Sequence, residues 1–391
     1  MAEYDTLVLE TQTEHRTIFD SAPEVITIAP GRINIIGEHT DYNGGLALPA
    51  AINRWICVAV SRRNDTMIEA VSLDFEEEYT LGPNDPLDRA PGWMRYVGGA
   101  VKVFTERSGN DSGWNIVIHG NLPIGAGLSS SAALEMAILN ALREATRSSI
   151  DDLELIKLGR QVEHQYLGLS SGLLDQYAIQ FSRSDRLLLI DFYDLTHSYT
   201  PVGMKNFCWA IVDSGVRREL TDSRYEQRVQ ECRVGLTVLQ SVGAPVETIR
   251  DITAEQLEKY KSASTRLQMN RLWHVVSENN RVVEAVRALK ICDFNYLGAL
   301  LKASHTSLRD DYEVSCPVLD ILVEAAAGPG CPGARMMGGG FGGCIIALVA
   351  EKNWDIFKRR VEVTYRNEFL RKPKIYKFDL VDGASIIDLQ K

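Results

Sequence analysis

Pro123-Ile-Gly-Ala-Gly-Leu-Ser-Ser-Ser-Ala132 decides the fold because of what flanks it. Before it, Trp114-Asn-Ile-Val-Ile-His-Gly120 is short, apolar and rich in β-branched residues, which predicts a strand. After it, Ala132-Ala-Leu-Glu-Met-Ala-Ile-Leu-Asn-Ala-Leu142 predicts a helix from strong helix formers at helical spacing. Strand, small-residue loop and helix start leave unpaired backbone N–H groups above the helix N-terminus, a nest that favours an anion such as phosphate. Gly125 and Gly127 permit close backbone approach, and Ser129, Ser130 and Ser131 offer hydroxyls to phosphate oxygens or a magnesium ion. A Walker A loop is excluded, since no Gly-Lys-Ser/Thr follows. A plain serine-capped turn is the competing interpretation.

Three further stretches stand out. Ala29-Pro-Gly-Arg-Ile-Asn-Ile-Ile-Gly-Glu-His-Thr-Asp-Tyr-Asn-Gly-Gly45 packs Arg32, Asn34, Glu38, His39, Asp41, Tyr42 and Asn43 between isoleucines that tie it to a core. Clustered donors and acceptors on a rigid base suit a polyhydroxylated ligand, although a polar turn would look alike. In Val162-Glu-His-Gln-Tyr-Leu-Gly-Leu-Ser-Ser-Gly-Leu-Leu-Asp-Gln-Tyr177, Asp175 sits among Leu173, Leu174 and Tyr177. A carboxylate in apolar company is paired, functional or an exposed helix cap. Ala334-Arg-Met-Met-Gly-Gly-Gly-Phe-Gly-Gly-Cys344 contains G-x-G-x-x-G, but a strand follows it, so a dinucleotide fingerprint does not fit. It is either a loop that closes on phosphates or sugar, or a tight bend.

The chain has 391 residues, enough for two domains, with ordinary globular composition. A net charge of -10 argues against nucleic acid and anionic membranes as partners. Seven scattered cysteines without a Cys-x-x-Cys pair suit free thiols in a cytoplasmic protein. No secretory signal or apolar run of transmembrane length is seen. Strands are expected at 25–29, 56–60, 67–71, 116–118, 186–191, 207–213, 344–350 and 374–380. Helices are expected at 94–104, 132–142, 153–167 and 354–365, and mostly helical structure from about 220 to 326. Strands and helices mixed without βαβ alternation predict an α+β fold. A boundary near 200–206 divides it into domains 1–205 and 206–391, with the last strand able to pack back on the first.

These segments, in this order, resemble the GHMP kinase superfamily and, within it, the galactokinases. Gly31-Arg-Ile-Asn-Ile-Ile-Gly-Glu-His-Thr-Asp-Tyr42 resembles the galactokinase motif, and Gly127-Leu-Ser-Ser-Ser-Ala-Ala133 and Gly339-Gly-Phe-Gly-Gly343 the second and third superfamily motifs. Trp93-Met-Arg-Tyr96, Gly172-Leu-Leu-Asp-Gln176 and Asp213-Ser-Gly-Val-Arg-Arg-Glu-Leu220 with Tyr225 match as well. The resemblance implies a two-domain GHMP fold with the active site in the inter-domain cleft. It implies ATP-dependent phosphorylation of the C1 hydroxyl of galactose by a magnesium-dependent, cytoplasmic enzyme, with a monomer expected. Asp175 and Arg32 take the catalytic roles, Asp175 orienting or deprotonating the hydroxyl. Glu38, His39, Asp41, Gly172 and Tyr225 contact sugar, while Trp93 and Tyr96 lie near the nucleobase. Gly125, Ala126, Gly127, Leu128, Ser129, Ser130 and Ser131 hold the phosphates, with Ser131 and Glu163 as magnesium ligands. Met337-Gly-Gly-Gly340 departs from the family's commoner Thr-Gly-Ala, Ser171-Gly-Leu-Leu-Asp175 from Cys-Gly-Ile-Met-Asp, and Arg95 stands where asparagine is usual. Alternatives are a 1-kinase for N-acetylgalactosamine, arabinose or a uronic acid, or a non-catalytic galactose and ATP sensor.

Overall fold

The computed structural model describes residues 2–123, 125–204, 206–217 and 223–388. Ile124 of the glycine–serine loop and Arg218, Glu219 and Leu220 of the 213–220 match lie outside the described residues. The first half runs α1 (Ala2–Phe19), β1 (Val25–Asn34), β2 (Leu46–Ala47), β3 (Pro49–Arg62), β4 (Ile68–Ser72) and β5 (Glu77–Leu81). It continues with α2 (Gly92–Ser108), β6 (Trp114–Gly120), α3 (Ser130–Thr146), α4 (Asp152–Tyr166), α5 (Leu174–Phe181), β7 (Arg186–Asp191) and β8 (Thr196–Pro201). The second half runs β9 (Phe207–Asp213), α6 (Ser223–Ser241), α7 (Ala254–Lys259), α8 (Arg266–Lys290), α9 (Phe294–Asp310) and α10 (Pro317–Ala326). It ends with β10 (Gly333–Met337), β11 (Cys344–Ala350), α11 (Trp354–Phe369), β12 (Lys374–Phe378), β13 (Leu380–Val381) and β14 (Ser385–Ile386).

The large sheet has the order β14-β1-β3-β6-β4-β5, with β13 also paired to β3. Among the described residues, only its β4–β6 pair is parallel. The end of the chain therefore returns to the first half, through Leu380 opposite Ile52 and Ser385 opposite Ile28. The helix expected at 132–142 is α3, and it is the central one. Ala132 to Leu142 are all buried, so this helix is predominantly apolar around its circumference because protein covers every face, with Glu135 and Asn140 its polar exceptions. The four-stranded sheet β10-β11-β9-β12 shows the corresponding logic in strands. Trp209 and Ile211 join the large core shared with the first half, while Ala210 and Val212 pack in a second core with Leu319, Phe357 and Val361. Both faces are covered, so β9 reads as a continuous apolar run.

Several elements differ from expectation: β5, β8 and β10 are further strands, β8 on the polar segment beside the expected boundary, and α1 and β1 differ as well. Helix α1 is not expected from the sequence, because its apolar packing rests on Leu7 with Tyr4 and Val8 while Leu9 and Ile18 are exposed and Thr11 and His15 are buried, so no apolar stripe marks it. Strand β1 extends five residues beyond Ala29, to Asn34, with its register to β3 shifting between Pro30 and Gly31. That extension puts Arg32 on a strand, paired with Ala51 just past the shift. Among the described residues, no helix is long and apolar enough to cross a membrane.

Candidate active site

The glycine–serine loop joins β6 to the start of α3, as its flanks predict. Gly125 and Gly127 hold φ of 70° and 71°, in the left-handed region that favours glycine. Strand β1 props the loop from beneath. The Arg32 amide donates to the Leu128 carbonyl at 3.1 Å, and the Arg32 Nη1 to the Gly127 carbonyl at 2.8 Å. A Cβ on Gly31 would stand 2.9 Å from the Leu128 oxygen and 2.4 Å from Leu122, so only glycine allows this approach. Ala126 is fully buried, whereas Ser129, Ser130 and Ser131 border the cleft. Ser129 is the N-cap residue of α3, yet its side chain makes no cap bond.

Arg32 and Asp175 meet although 143 residues separate them. Both Nε and Nη2 of Arg32 lie 2.7 Å from Asp175 Oδ1. Ser129 Oγ donates to Asp175 Oδ2 at 2.5 Å. Each carboxylate oxygen thus accepts from a different element, β1 on one side and the loop on the other. Asp175 is in the first turn of the short helix α5 and stays one-third exposed to the cleft.

The polar constellation is held by side chains from the second half. Glu278 Oε1 accepts from the Gly37 amide at 2.9 Å, and Asn279 Oδ1 from the Leu46 amide at 2.8 Å. Burial alone would raise the Glu278 carboxyl, but Arg281, His274 and Arg335 together bring it down to about 2. Glu38 Oε1 accepts from Arg335 Nη1 and Nη2, each at 3.1 Å, and from the Gly338 amide at 2.8 Å. One oxygen of Glu38 is therefore committed to the third glycine motif. His39 has φ of 61° and hydrogen-bonds through Nδ1 to the Tyr42 hydroxyl at 2.7 Å, with the Tyr225 ring 5.5 Å away. A Cβ on Gly172 would sit 1.7 Å from Asp41 Oδ2, so glycine is what lets the α5 entry close over that carboxylate. Burial pushes the Asp41 carboxyl up to about 7, with the Asp175 and Glu38 charges adding to it and the Tyr42 and Leu174 amides opposing.

Trp93 and Tyr96 stand on α2 along the same cleft, Trp93 donating through Nε1 to Glu77 Oε2 at 2.6 Å. Glu163 faces it from α4 and accepts from the Ser171 hydroxyl. The third motif turns between β10 and β11, with Gly338 and Gly340 at φ of 83° and 82° and no helix following. A Cβ on Gly340 would lie 2.2 Å from the Val314 oxygen. All the anticipated site residues except Ala126 border one cleft of about 630 Å³. Two features were missed. Arg217 lies beside Gly125 and 3.7 Å from Asp213, and Asp74 with Phe75 extends the wall near Trp93. The 213–220 segment was recognised as a block, without a function for its first arginine.

The model for the galactokinase galactose-binding signature matches residues 13–62. The models for the GHMP kinases N-terminal domain and the GHMP kinases C-terminal region match residues 95–183 and 284–360. The chain is 39% identical to the galactokinase of Staphylococcus carnosus over 98% of its own length and 100% of that protein's. It is 40% identical to the galactokinase of Exiguobacterium sibiricum over 92% of its own length and 93% of the relative's. The crystal structure of Lactococcus lactis galactokinase complexed with galactose superposes with a TM-score of 0.90 at 33% identity, covering 96% of this chain and 99% of that one. A mevalonate kinase, at 20% identity and a TM-score of 0.65, shares the fold. With a galactose-binding signature over residues 13–62, matches to the GHMP N- and C-terminal models over 95–183 and 284–360 and full-length likeness to named relatives, the chain belongs to the galactokinase family of GHMP kinases.

Proposed function

We propose that this chain transfers the γ-phosphoryl group of ATP to the C1 hydroxyl of galactose, giving galactose 1-phosphate and ADP. The observation that carries the reading is the meeting of Arg32, Ser129 and Asp175 between the phosphate loop and the sugar motif. Galactose lies against Glu38, His39, Asp41, Gly172 and Tyr225. The triphosphate lies on Gly125 to Ser131, with the base toward Trp93 and Tyr96. The free N–H groups at the start of α3 and the Arg32 guanidinium counter the negative charge on phosphate oxygens. The C1 oxygen bonds to the γ-phosphorus as the bond to the β,γ-bridging oxygen breaks and ADP leaves. Asp175 aligns the hydroxyl and takes its proton, which passes on to solvent. Arg32 holds Asp175 in place for that task through Nε and Nη2. The cleft lies between the proposed domains 1–205 and 206–391, and every proposed group belongs to one chain, so a monomer suffices.

Magnesium fits the side chains present. Ser131 and Glu163 supply two hard oxygens, and no cluster of three or more His, Cys, Asp or Glu for a metal occurs among the described residues. Magnesium is commonly held by one or two protein oxygens plus phosphates and waters. Neighbouring Glu135 is pushed well above the carboxylate range by burial and then by the Glu163 charge. When bound, the ion would neutralise charge on the phosphate oxygens.

ADP release measured across galactose, N-acetylgalactosamine, arabinose and galacturonic acid tests the substrate. Highest kcat/KM on galactose is expected; better turnover of another sugar overturns it, and galactose binding without turnover favours a sensor. Asp41 adds a pH dependence. Its folded pKa of about 7 exceeds the ordinary 3.8, so the folded state holds a proton the unfolded chain has lost between these values. Folding stability contributed by this group therefore falls as pH rises through that window. Galactose acts oppositely, because its hydroxyls donate to the carboxylate. The galactose Kd is expected to weaken about tenfold from pH 8 to pH 6, and the Asp41→Asn variant to lose this dependence. A flat calorimetric profile in the parent protein would remove Asp41 as the titrating contact.

A further inference from the structure

We infer that the Ser129 hydroxyl, unlike the backbone of the loop around it, serves Asp175 rather than the triphosphate, making Ser129 the positioning residue that sets the plane of the carboxylate; this rests on the kinase reading of the site. An N-cap serine ordinarily turns its hydroxyl back onto an amide two or three residues ahead. Ser129 does not. Its φ of 61° and ψ of 45° place it in the left-handed region, which a side-chain-bearing residue occupies only when its surroundings hold it there. That backbone directs Oγ across the cleft to Asp175 Oδ2, 2.5 Å away. It also leaves the first amides of α3 without a side-chain cap, open to phosphate oxygens. One residue in an unusual conformation thereby serves both halves of the reaction.

The geometry at Asp175 shows why a second donor matters. Arg32 grips only Oδ1, through Nε and Nη2. Gripped at one oxygen, the carboxylate is free to swing about it. The Ser129 hydroxyl fastens Oδ2 and fixes the plane, leaving the other lone pair of Oδ2 for the C1 hydroxyl. The hydroxyl is held neither by the helix nor by a distant surface group, and Asp175 is its partner in the structure. Small misplacements of a reacting group cost large factors in rate.

Ser129→Ala and Ser129→Gly separate the possibilities. Both remove the hydroxyl, but glycine adopts the left-handed conformation freely while alanine does not. Steady-state kinetics with galactose and ATP, together with calorimetric Kd values for galactose and a nonhydrolysable ATP analogue, provide the readout. Both variants are expected to lose about 10- to 100-fold in kcat, to a similar level, with ATP KM and both Kd values within about twofold of the parent. A glycine variant with parental kcat would show that only the backbone conformation matters and would overturn the assignment. A tenfold rise in ATP KM with kcat retained would overturn it in favour of a phosphate contact. Failure of the underlying reading looks different: the parent protein itself would then release no ADP with galactose.

Discussion

Asp175→Asn is expected to lower kcat by about 10²- to 10⁴-fold, the range associated with a positioned proton-transfer group, while the galactose Kd changes by less than about threefold. The amide has the shape of the carboxylate but neither its charge nor its basicity. Its oxygen will turn to Arg32, the donor that holds Oδ1 from two nitrogens. Its NH2 group then faces Ser129 and the C1 hydroxyl, two groups that themselves donate to the carboxylate in the parent. The nucleophile loses its acceptor, and Arg32 loses the charge that balances it. The proposed galactose contacts to Glu38, His39 and Asp41 are untouched by the substitution, so binding is expected to persist. Stopped-flow or coupled measurement of ADP release, with Kd by calorimetry, separates the two effects. Turnover within tenfold of the parent would remove Asp175 from the chemistry and leave it a structural ligand of Arg32.

The largest expected effect on stability comes from Arg335→Met. This arginine is fully buried and spends its donors on five bonds. Nε donates to the Ile35 carbonyl at 2.7 Å, Nη2 to the Asn34 carbonyl at 2.6 Å and Nη1 to the Met336 carbonyl at 2.6 Å. The remaining two go to Glu38 Oε1. Methionine fills part of the volume but strands a buried carboxylate and three carbonyls. Removing one partner of a buried ion pair costs about 3–5 kcal/mol, and the unpaired carbonyls add to this. The urea midpoint is expected to fall accordingly, and Glu38→Gln placed on top of Arg335→Met should recover part of the loss by removing the stranded charge. A single variant with the parental midpoint would contradict this account of how the third glycine motif is tied to the sugar motif.

What could be read from sequence follows the range of the interactions involved. The phosphate loop was readable because strand, glycines, serines and helix are contiguous, and the nest they make is a local property of the backbone. Asp175 drew attention for a local reason too, its position beside Leu173, Leu174 and Tyr177. Its partner could not be found that way: Arg32 is 143 positions earlier, on strand β1. Arg335 sits in a segment whose glycines dominate its appearance, and its partner Glu38 is 297 residues away. Glu278 and Asn279 are adjacent polar positions on the long helix α8, yet they hold the amides of Gly37 and Leu46. Nothing along α8 distinguishes them from its solvated positions. Arg217 was overlooked because a match to a whole segment assigns no individual role.

The central claim is that the sugar motif and the phosphate loop present one hydroxyl to one phosphorus at Asp175. A crystal structure with galactose and a nonhydrolysable ATP analogue tests it most directly. The account predicts the C1 oxygen within about 3 Å of Asp175 Oδ2 and facing the γ-phosphorus, the distance range of a catalytic hydrogen bond. Galactose bound with C1 turned toward Asp41 and His39, and another hydroxyl facing the phosphorus, would contradict it.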